Sequence, residues 1–447
     1  MTRRASSSAG HPEISRRQFV GLLTGGVLAL GGGRALGATP YRVARIDSSD
    51  PYTGTAGALE ASGEFPDVAG RIVIVKPNLL AARPAETGVT THPEVVRAAV
   101  DRALAGGASQ IRIVEGGTAG AKFEPCGYGF FASYDPRVAL VDLSTEPVTF
   151  TPVPPGSAPS GTSGAPSAYR GIYLPNVVTE PGAVFISIGK LKTHVECMAT
   201  LSLKNLFGVP PIGPYLDLAR ENFRPRFGLH DRSVGQAVAD IARARPIDYA
   251  IVDGVWGLEG NGPVDLFGGI PVQANVVVAG RNPLAVDLVC LDVMGIARES
   301  VQHLEYAYLQ GLGPFDLSQI EVVGDPVSVR PFLQPVIPSK VWPPKIAPLQ
   351  FSPPRGEKAS VLCRVVEDAQ VQVQVLRTSD QKPSQTLVRT LQPWADLPAG
   401  SFMLQWDGRD DAGLIAPPTL YGVRVQARRL SSDNFVASGI NWVVTTA

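Results

Sequence analysis

The sequence predicts an α/β domain, a mostly parallel sheet flanked by helices, followed by a small all-β sandwich. Three observations predict it. From about residue 40 to 325, β-rich apolar runs alternate with helical periods. Residues 326–355 are dense in proline, as in Pro335, Pro338, Pro343, Pro344, Pro348, Pro353 and Pro354. Beyond them, short alternating strands are separated by turn signals.

The elements follow in order. Residues 1–38 have the layout of a signal peptide: a polar, weakly basic start, an uncharged stretch from Gly21 to Gly33, and the small-residue site Ala35-Leu36-Gly37-Ala38. Arg16-Arg17 before Phe19 matches the twin-arginine pattern, which predicts export of a folded chain by the twin-arginine machinery to the periplasm or another extracytoplasmic space. An uncleaved membrane anchor is the alternative. Residues 39–325 are expected to form the α/β domain.

Arg71-Ile72-Val73-Ile74-Val75 is a buried-strand pattern. Thr91-His92-Pro93-Glu94 has the form of a capping box, with Pro93 in the first turn. Val95, Val96, Ala99, Val100, Ala103 and Leu104 repeat with helical spacing, and Gly106-Gly107 ends the helix. Ile111 to Val114 is the next strand, so the unit predicts parallel pairing. Residues 147–170, rich in Pro, Ser and Gly, predict a surface loop. Further strands are expected at Ala183 to Ile188, Asp248 to Val252, Asn275 to Ala279 and Ile320 to Val323. A short helix is expected from Val234 to Ala244, and a second begins at Asn282-Pro283 and is apolar almost all round, hence buried. In the C-terminal part, strands are expected at 360–366, 371–376, 402–405, 421–427 and 441–445.

Composition narrows the function. In 447 residues, 44% hydrophobic and 18% charged content supports a proper core and excludes a disordered chain. Lys plus Arg equals Asp plus Glu at 40 each, which leaves no basic footprint for nucleic acid. Cys126, Cys197, Cys290 and Cys363 are far apart and supply no CxxC-type ligand set for a metal or an iron–sulfur cluster. One bridge among them is allowed in an oxidising compartment, and Cys290 reads as a small core residue.

Polar residues follow each expected strand: Lys76-Pro77-Asn78, Glu115-Gly116-Gly117, Lys190-Leu191-Lys192-Thr193-His194, Asp253-Gly254 with Glu259 to Pro263, and Gly280-Arg281-Asn282. In a parallel sheet these ends face one way, where ligands of open α/β sheets bind. Lys204 and Asn205 add a cation and an amide. The expectation is a pocket for an anionic small molecule built from Lys76, Asn78, Lys190, Lys192, Lys204 and Asn205. Neither GxGxxG nor a P-loop is present in the glycine-rich segments, and no cofactor is identified. Asp287 lies one turn into an apolar helix and is expected to have a buried partner, a lysine being the candidate.

These segments together resemble the domain of unknown function 362 family. The resemblance rests on Val75-Lys76-Pro77-Asn78-Leu79, Lys190 to His194, Ser202 to Gly208, Asp253-Gly254 through Pro263, and Asn282-Pro283 with Asp287. It covers roughly residues 70–295. Family members with an added cysteine cluster resemble ferredoxins, and this chain lacks that cluster. Residues 356–447 resemble the immunoglobulin-like domain of flagellar hook-capping proteins, through Trp406 to Gly413, Pro417-Pro418 and Tyr421-Gly422-Val423. Trp406 and Tyr421 are the expected packing anchors beside an Asp-Gly turn.

Two functions remain open. In an enzyme, Asp253 or Glu259 would be the general base and His194 the acid or base, with Asp253, Glu259 and Asp287 as a candidate metal set. In a binding protein, the same pocket captures an anion and the β-sandwich docks to an envelope partner. The enzyme leads, because buried acid and base beside lysines is costly for capture alone.

Overall fold

The computed structural model describes residues 40–116, 123–162, 167, 169–211, 229, 234–265, 268–326, 330–335, 359–365, 368–379, 382–398, 400–417, 420–430 and 437–444. The expected signal peptide and most of the proline-dense stretch lie outside these residues.

The chain enters through β1 (Tyr41–Asp47) and α1 (Pro51–Ser62). The sequence pattern did not mark these two elements. Helix α1 has little apolar periodicity, and is set instead by its ends: the Asp50 carboxylate accepts from Thr53 N at 2.6 Å, and Gly63 closes it at φ 64°.

The expected strand–helix–strand unit is β2 (Ile72–Lys76), α2 (Pro93–Ala105) and β3 (Gln110–Glu115), with β2 and β3 parallel. The cap differs from expectation. His92, not Thr91, caps α2, its Nδ1 accepting from Glu94 N at 3.1 Å. The Thr91 hydroxyl is engaged elsewhere, accepting from Asn78 N and donating to Ile188 O, both at 3.0 Å.

Next come β4 (Val138–Asp142), β5 (Val148–Pro152) and β6 (Gly171–Pro175). Strands β5 and β6 pair antiparallel, so the segment expected as a surface loop begins as a strand. The remaining elements are β7 (Val184–His194), β8 (Met198–Thr200), α3 (Leu201–Asn205), α4 (Val234–Ala244), β9 (Tyr249–Gly260), β10 (Gly269–Gly280), α5 (Pro283–Met294), α6 (Gln302–Leu309) and β11 (Ile320–Gly324). As expected, Asn282 caps α5 by accepting from Ala285 N at 2.9 Å, and α5 is buried along nearly its whole length.

The main sheet runs β11-β1-β10-β9-β7-β2-β3-β4, with β8 added to β7. Strands β9, β7, β2, β3 and β4 are mutually parallel, and β10 runs antiparallel to both β9 and β1. This corrects the expectation of five polar strand ends on one rim. The Gly280-Arg281-Asn282 end of β10 points to the opposite edge, because a hairpin rather than a crossover joins β9 to β10.

Two buried clusters sandwich the sheet. Val73, Val75, Ile186, Ile251 and Val277 pack with α1 and α2 on one face. Ile74, Phe185, Val252, Val278 and the apolar sides of α3 to α6 fill the other. Burial on both faces explains why these strands read as continuous apolar runs rather than alternating ones.

In the C-terminal part, β12 (Ala359–Val365) pairs with β15 (Gly400–Trp406), and β13 (Ala369–Ser379), β14 (Lys382–Leu397), β16 (Leu420–Arg429) and β17 (Ala437–Val444) form a sheet in the order β14-β13-β16-β17. Strand β14 was not expected. The anchors meet: Trp406 and Tyr421 stack edge to face with centroids 4.9 Å apart. Trp406 Nε1 donates to Arg409 O at 2.8 Å across the Asp407-Gly408 turn, where Gly408 holds φ 74°.

Cys126, Cys197 and Cys290 are buried free thiols, and Cys290 is the core residue expected.

Candidate functional site

Adjacent parallel strands bring their last residues side by side, and this builds the first pair. Lys76 ends β2 and Glu115 ends β3. The Lys76 ammonium donates to Glu115 Oε2 at 3.0 Å, Pro77 O at 2.9 Å and Asn205 Oδ1 at 3.2 Å, and is 1% exposed. Glu115 also accepts from Leu79 N and Gly116 N, each at 2.8 Å. A buried ammonium with three acceptors, one a carboxylate, is a satisfied charge.

The second pair lies between β7 and β9. Lys190 and Asp253 are register partners, and their side chains, both fully buried, meet at 2.7 Å. Asp253 further accepts from His92 N at 2.8 Å and Val255 N at 3.1 Å. Burial lowers the Lys190 pKa, with Asp253 opposing. Burial likewise lowers the pKa of His92, whose Nε2 stands 3.8 Å from Glu86 Oε1. The lysine stretch was expected in a loop after the strand. It is instead the second half of β7, and that is why Lys190 and Lys192 are buried rather than solvated.

Lys192 differs from both. Its amine donates to Asn78 Oδ1 at 2.8 Å and to Val89 O at 2.7 Å, and meets no carboxylate among the described residues. Burial pushes its pKa well below the ordinary lysine value, and the neighbouring Lys204 and Lys190 push the same way. Lys204, half-buried on α3, lies over the Phe207 ring at 5.4 Å and has no carboxylate partner among the described residues.

Amides join these groups. Asn205 donates to Lys76 O at 2.9 Å and Ser187 Oγ at 3.1 Å, and its Oδ1 accepts from Asn78 Nδ2 at 3.1 Å. Asn78 in turn accepts from Lys192. Thr91, bonded to Asn78 N, leads into His92, bonded to Asp253. All six expected ligand-binding residues thus belong to one neighbourhood at the carboxyl end of β2, β7 and β9.

The expected acid–base and metal residues do not join them as a set. Asp287 accepts from Ser202 Oγ at 2.6 Å, Ser202 N at 2.9 Å and Leu203 N at 3.0 Å, so its partners cap α3 and none is a lysine. Burial raises its pKa to about 7 against the lowering effect of those bonds. The cap holds a strained turn, with Met198 at φ 67° and Leu201 at φ 53°. Glu259 accepts from Leu333 N at 3.0 Å, six positions along β9 from Asp253. His194 Nδ1 accepts from Glu196 N at 3.0 Å. Among the described residues no group of three or more His, Cys, Asp or Glu side chains could hold a metal ion. The proposed trio fails because each carboxylate serves a different backbone segment.

Glu115, Thr91 and His92 are the site residues to which sequence reasoning assigned no role. Glu115 carried a signal: a carboxylate closing the strand next to the one closed by Lys76. Thr91 and His92 had none, since a capping motif hides longer-range partners.

A separate open cleft of about 680 Å³, lined by Gln110, Arg112, Glu146, Thr149, Asn176 and Glu180 among others, shares no residue with the lysine cluster. Its Arg112 is paired with Glu180.

Comparison with known proteins places the cluster in context. Residues 73–292 match the family model described as Domain of unknown function (DUF362), which contains every residue of the cluster. A thylakoid-associated protein of Synechocystis sp. is 28% identical over 131 residues, 29% of this chain and 38% of that protein. The chain therefore spans well under half the length of this relative. A solved structure of FLGD from P. aeruginosa is 22% identical and is matched over 19% of this chain and 62% of its own, with a TM-score of 0.15, too low to bear on the fold.

Proposed function

We propose that this protein is exported by the twin-arginine route and that its α/β domain binds an anionic small ligand at Lys192 and Lys204. One observation carries the binding proposal. Four lysines gather in the cluster, but among the described residues only Lys76 and Lys190 have carboxylate partners, Glu115 and Asp253. Lys192 bonds neutral oxygens and Lys204 an aromatic face. Lys204 is thereby left without a counter-charge among the described residues, beside a Lys192 amine that donates hydrogen bonds, and an anion would answer both. Half-buried Asn78 and Lys204 form the solvent side of this cluster.

Binding is better supported than acid–base catalysis by the three residues first expected to do chemistry. His194, Asp253 and Glu259 each accept a backbone N–H, which makes them supports for loops. The β-rich C-terminal part is taken as an immunoglobulin-like module that docks to an envelope partner.

Thermal denaturation with sulfate, phosphate and citrate tests the anion site. Wild-type protein should be stabilised, and Lys204→Ala should lose the response while melting normally without anion. Equal stabilisation of both proteins would refute the site. For export, replacing Arg16 and Arg17 by lysine should hold the precursor in the cytoplasm, and normal export of that variant would refute the route.

A further inference from the structure

We propose that Lys192 is a neutral, nucleophilic amine that condenses with the carbonyl carbon of a 2-oxo acid whose carboxylate pairs with Lys204. This names a substrate class for the anion site and rests on that proposal.

Donor counting separates Lys192 from its neighbours. An ammonium has three N–H donors and no lone pair, whereas an amine has two N–H donors and one lone pair. Lys76 has three acceptors, including a carboxylate, and Lys190 is bonded to a carboxylate at 2.7 Å, so both fit the ammonium form. Among the described residues Lys192 has two acceptors, Asn78 Oδ1 and Val89 O, both uncharged. That set satisfies an amine and leaves its lone pair unengaged.

The surroundings hold this state. Lys204, Lys190 and Lys76 repel a proton from Lys192, and Glu115 is the acidic group that opposes them. Burial acts in the same direction as the lysines and is the larger influence. The Val89 acceptor is fixed by its loop. Gly88 sits at φ 71° against Gly257, and a Cβ there would lie 2.0 Å from Gly257 O. Lysines desolvated beside other cations are a known source of amine nucleophiles.

An uncharged amine has no Coulombic hold on an anion, but it attacks electrophilic carbon. Lys204 supplies the charge for a carboxylate. A small molecule that answers both groups at once carries a carbonyl next to a carboxylate. In the step, the Lys192 lone pair bonds to the carbonyl carbon and the C=O π pair moves to oxygen. The carbonyl oxygen then leaves as water with the two amine hydrogens, and a C=N bond remains. The balance is one oxo acid plus one amine giving one imine plus one water. No oxidant or reductant is needed.

The test is reductive trapping on the full mature chain at pH 7, where ordinary lysines remain protonated. Protein is incubated separately with pyruvate, glyoxylate and 2-oxoglutarate, treated with sodium borohydride, and analysed by intact mass and peptide mapping. With at least one acid, a single adduct should map to Lys192 in the wild type. The adduct should vanish in Lys192→Arg, and its yield at limiting oxo acid should fall at least tenfold in Lys204→Ala, the equivalent of about 1.4 kcal/mol. Mapping in the wild type keeps the test decisive even if Lys192→Arg does not fold. No adduct with any of the three acids, or adducts spread over exposed lysines, overturns the amine. If sulfate still stabilises a protein that gives no adduct, the amine proposal falls and the anion site stands. If sulfate has no effect either, both fall.

Discussion

Two halves of one lysine cluster solve the problem of a buried amine in opposite ways. Lys76 and Lys190 each face a carboxylate that is itself held by backbone N–H groups. Lys192 and Lys204 have no carboxylate partner among the described residues and lean on neutral amide oxygens and an aromatic ring. The paired half resembles structural ion pairs found inside many proteins, where breaking one partner is far worse than never having had the pair. The unpaired half has no such compensation among the described residues, and its Lys204 is half-buried where the other three lysines are fully buried. The contrast teaches that burial of charge alone does not mark a functional site. What marks it is burial without a matching counter-charge.

The contrast can be broken most forcefully at the paired half. Glu115→Ala or Asp253→Ala should destabilise the protein by about 3–5 kcal/mol, because each leaves a buried ammonium uncompensated. Urea unfolding measures this, and a loss under about 1 kcal/mol would mean that the pairs are as dispensable as surface ones.

Asp287 sharpens the comparison from the carboxylate side, since it is buried with no cation among its described partners. Its pKa is raised to about 7 from 3.8, so the folded state holds the proton more tightly than the unfolded chain. The group's stabilising contribution is therefore full below about pH 4 and is lost as pH rises through 7, by on the order of 4 kcal/mol. Asp287→Asn should flatten the pH dependence of stability between pH 4 and 7. A variant with the wild-type slope would show that Asp287 is not the titrating group.

Thr91 links the halves, and its effect should be smaller. Thr91→Val leaves Asn78 N and Ile188 O without their partner and should cost about 1–3 kcal/mol, with weakened anion response because Asn78 loses its anchor. The smallest change in stability is expected at Lys204→Ala, within about 0.5 kcal/mol without ligand, since its contact among the described residues is with the Phe207 ring. A large loss there would make Lys204 structural and dissolve the comparison.

Much of the fold was legible. Strands β2, β3, β9 and β11 and helices α2, α4 and α5 appear where apolar periodicity predicted them, because that periodicity records burial directly. The α1 helix and the β4, β5 and β8 strands were not legible, being short or weakly apolar and shaped by caps and neighbours. For the site, the expected ligand-binding residues Lys76, Asn78, Lys190, Lys192 and Asn205 are linked by hydrogen bonds, while His194, Glu259 and Asp287 bond to other segments. Residue type told where polar groups lie, but partner identity depends on segments such as 88–92 and 202–203 that arrive from far along the chain.

The amino-acid sequence alone determined that polar residues would follow buried strands and that a family-like set of lysines and asparagines would be among them. Only the tertiary structure decided the direction of β10, the continuation of β7 through its lysines, and which lysine meets which acid. The physical reason is that periodicity is a property of nearest neighbours along a chain, whereas the state of a buried amine depends on the count and charge of acceptors brought to it across space.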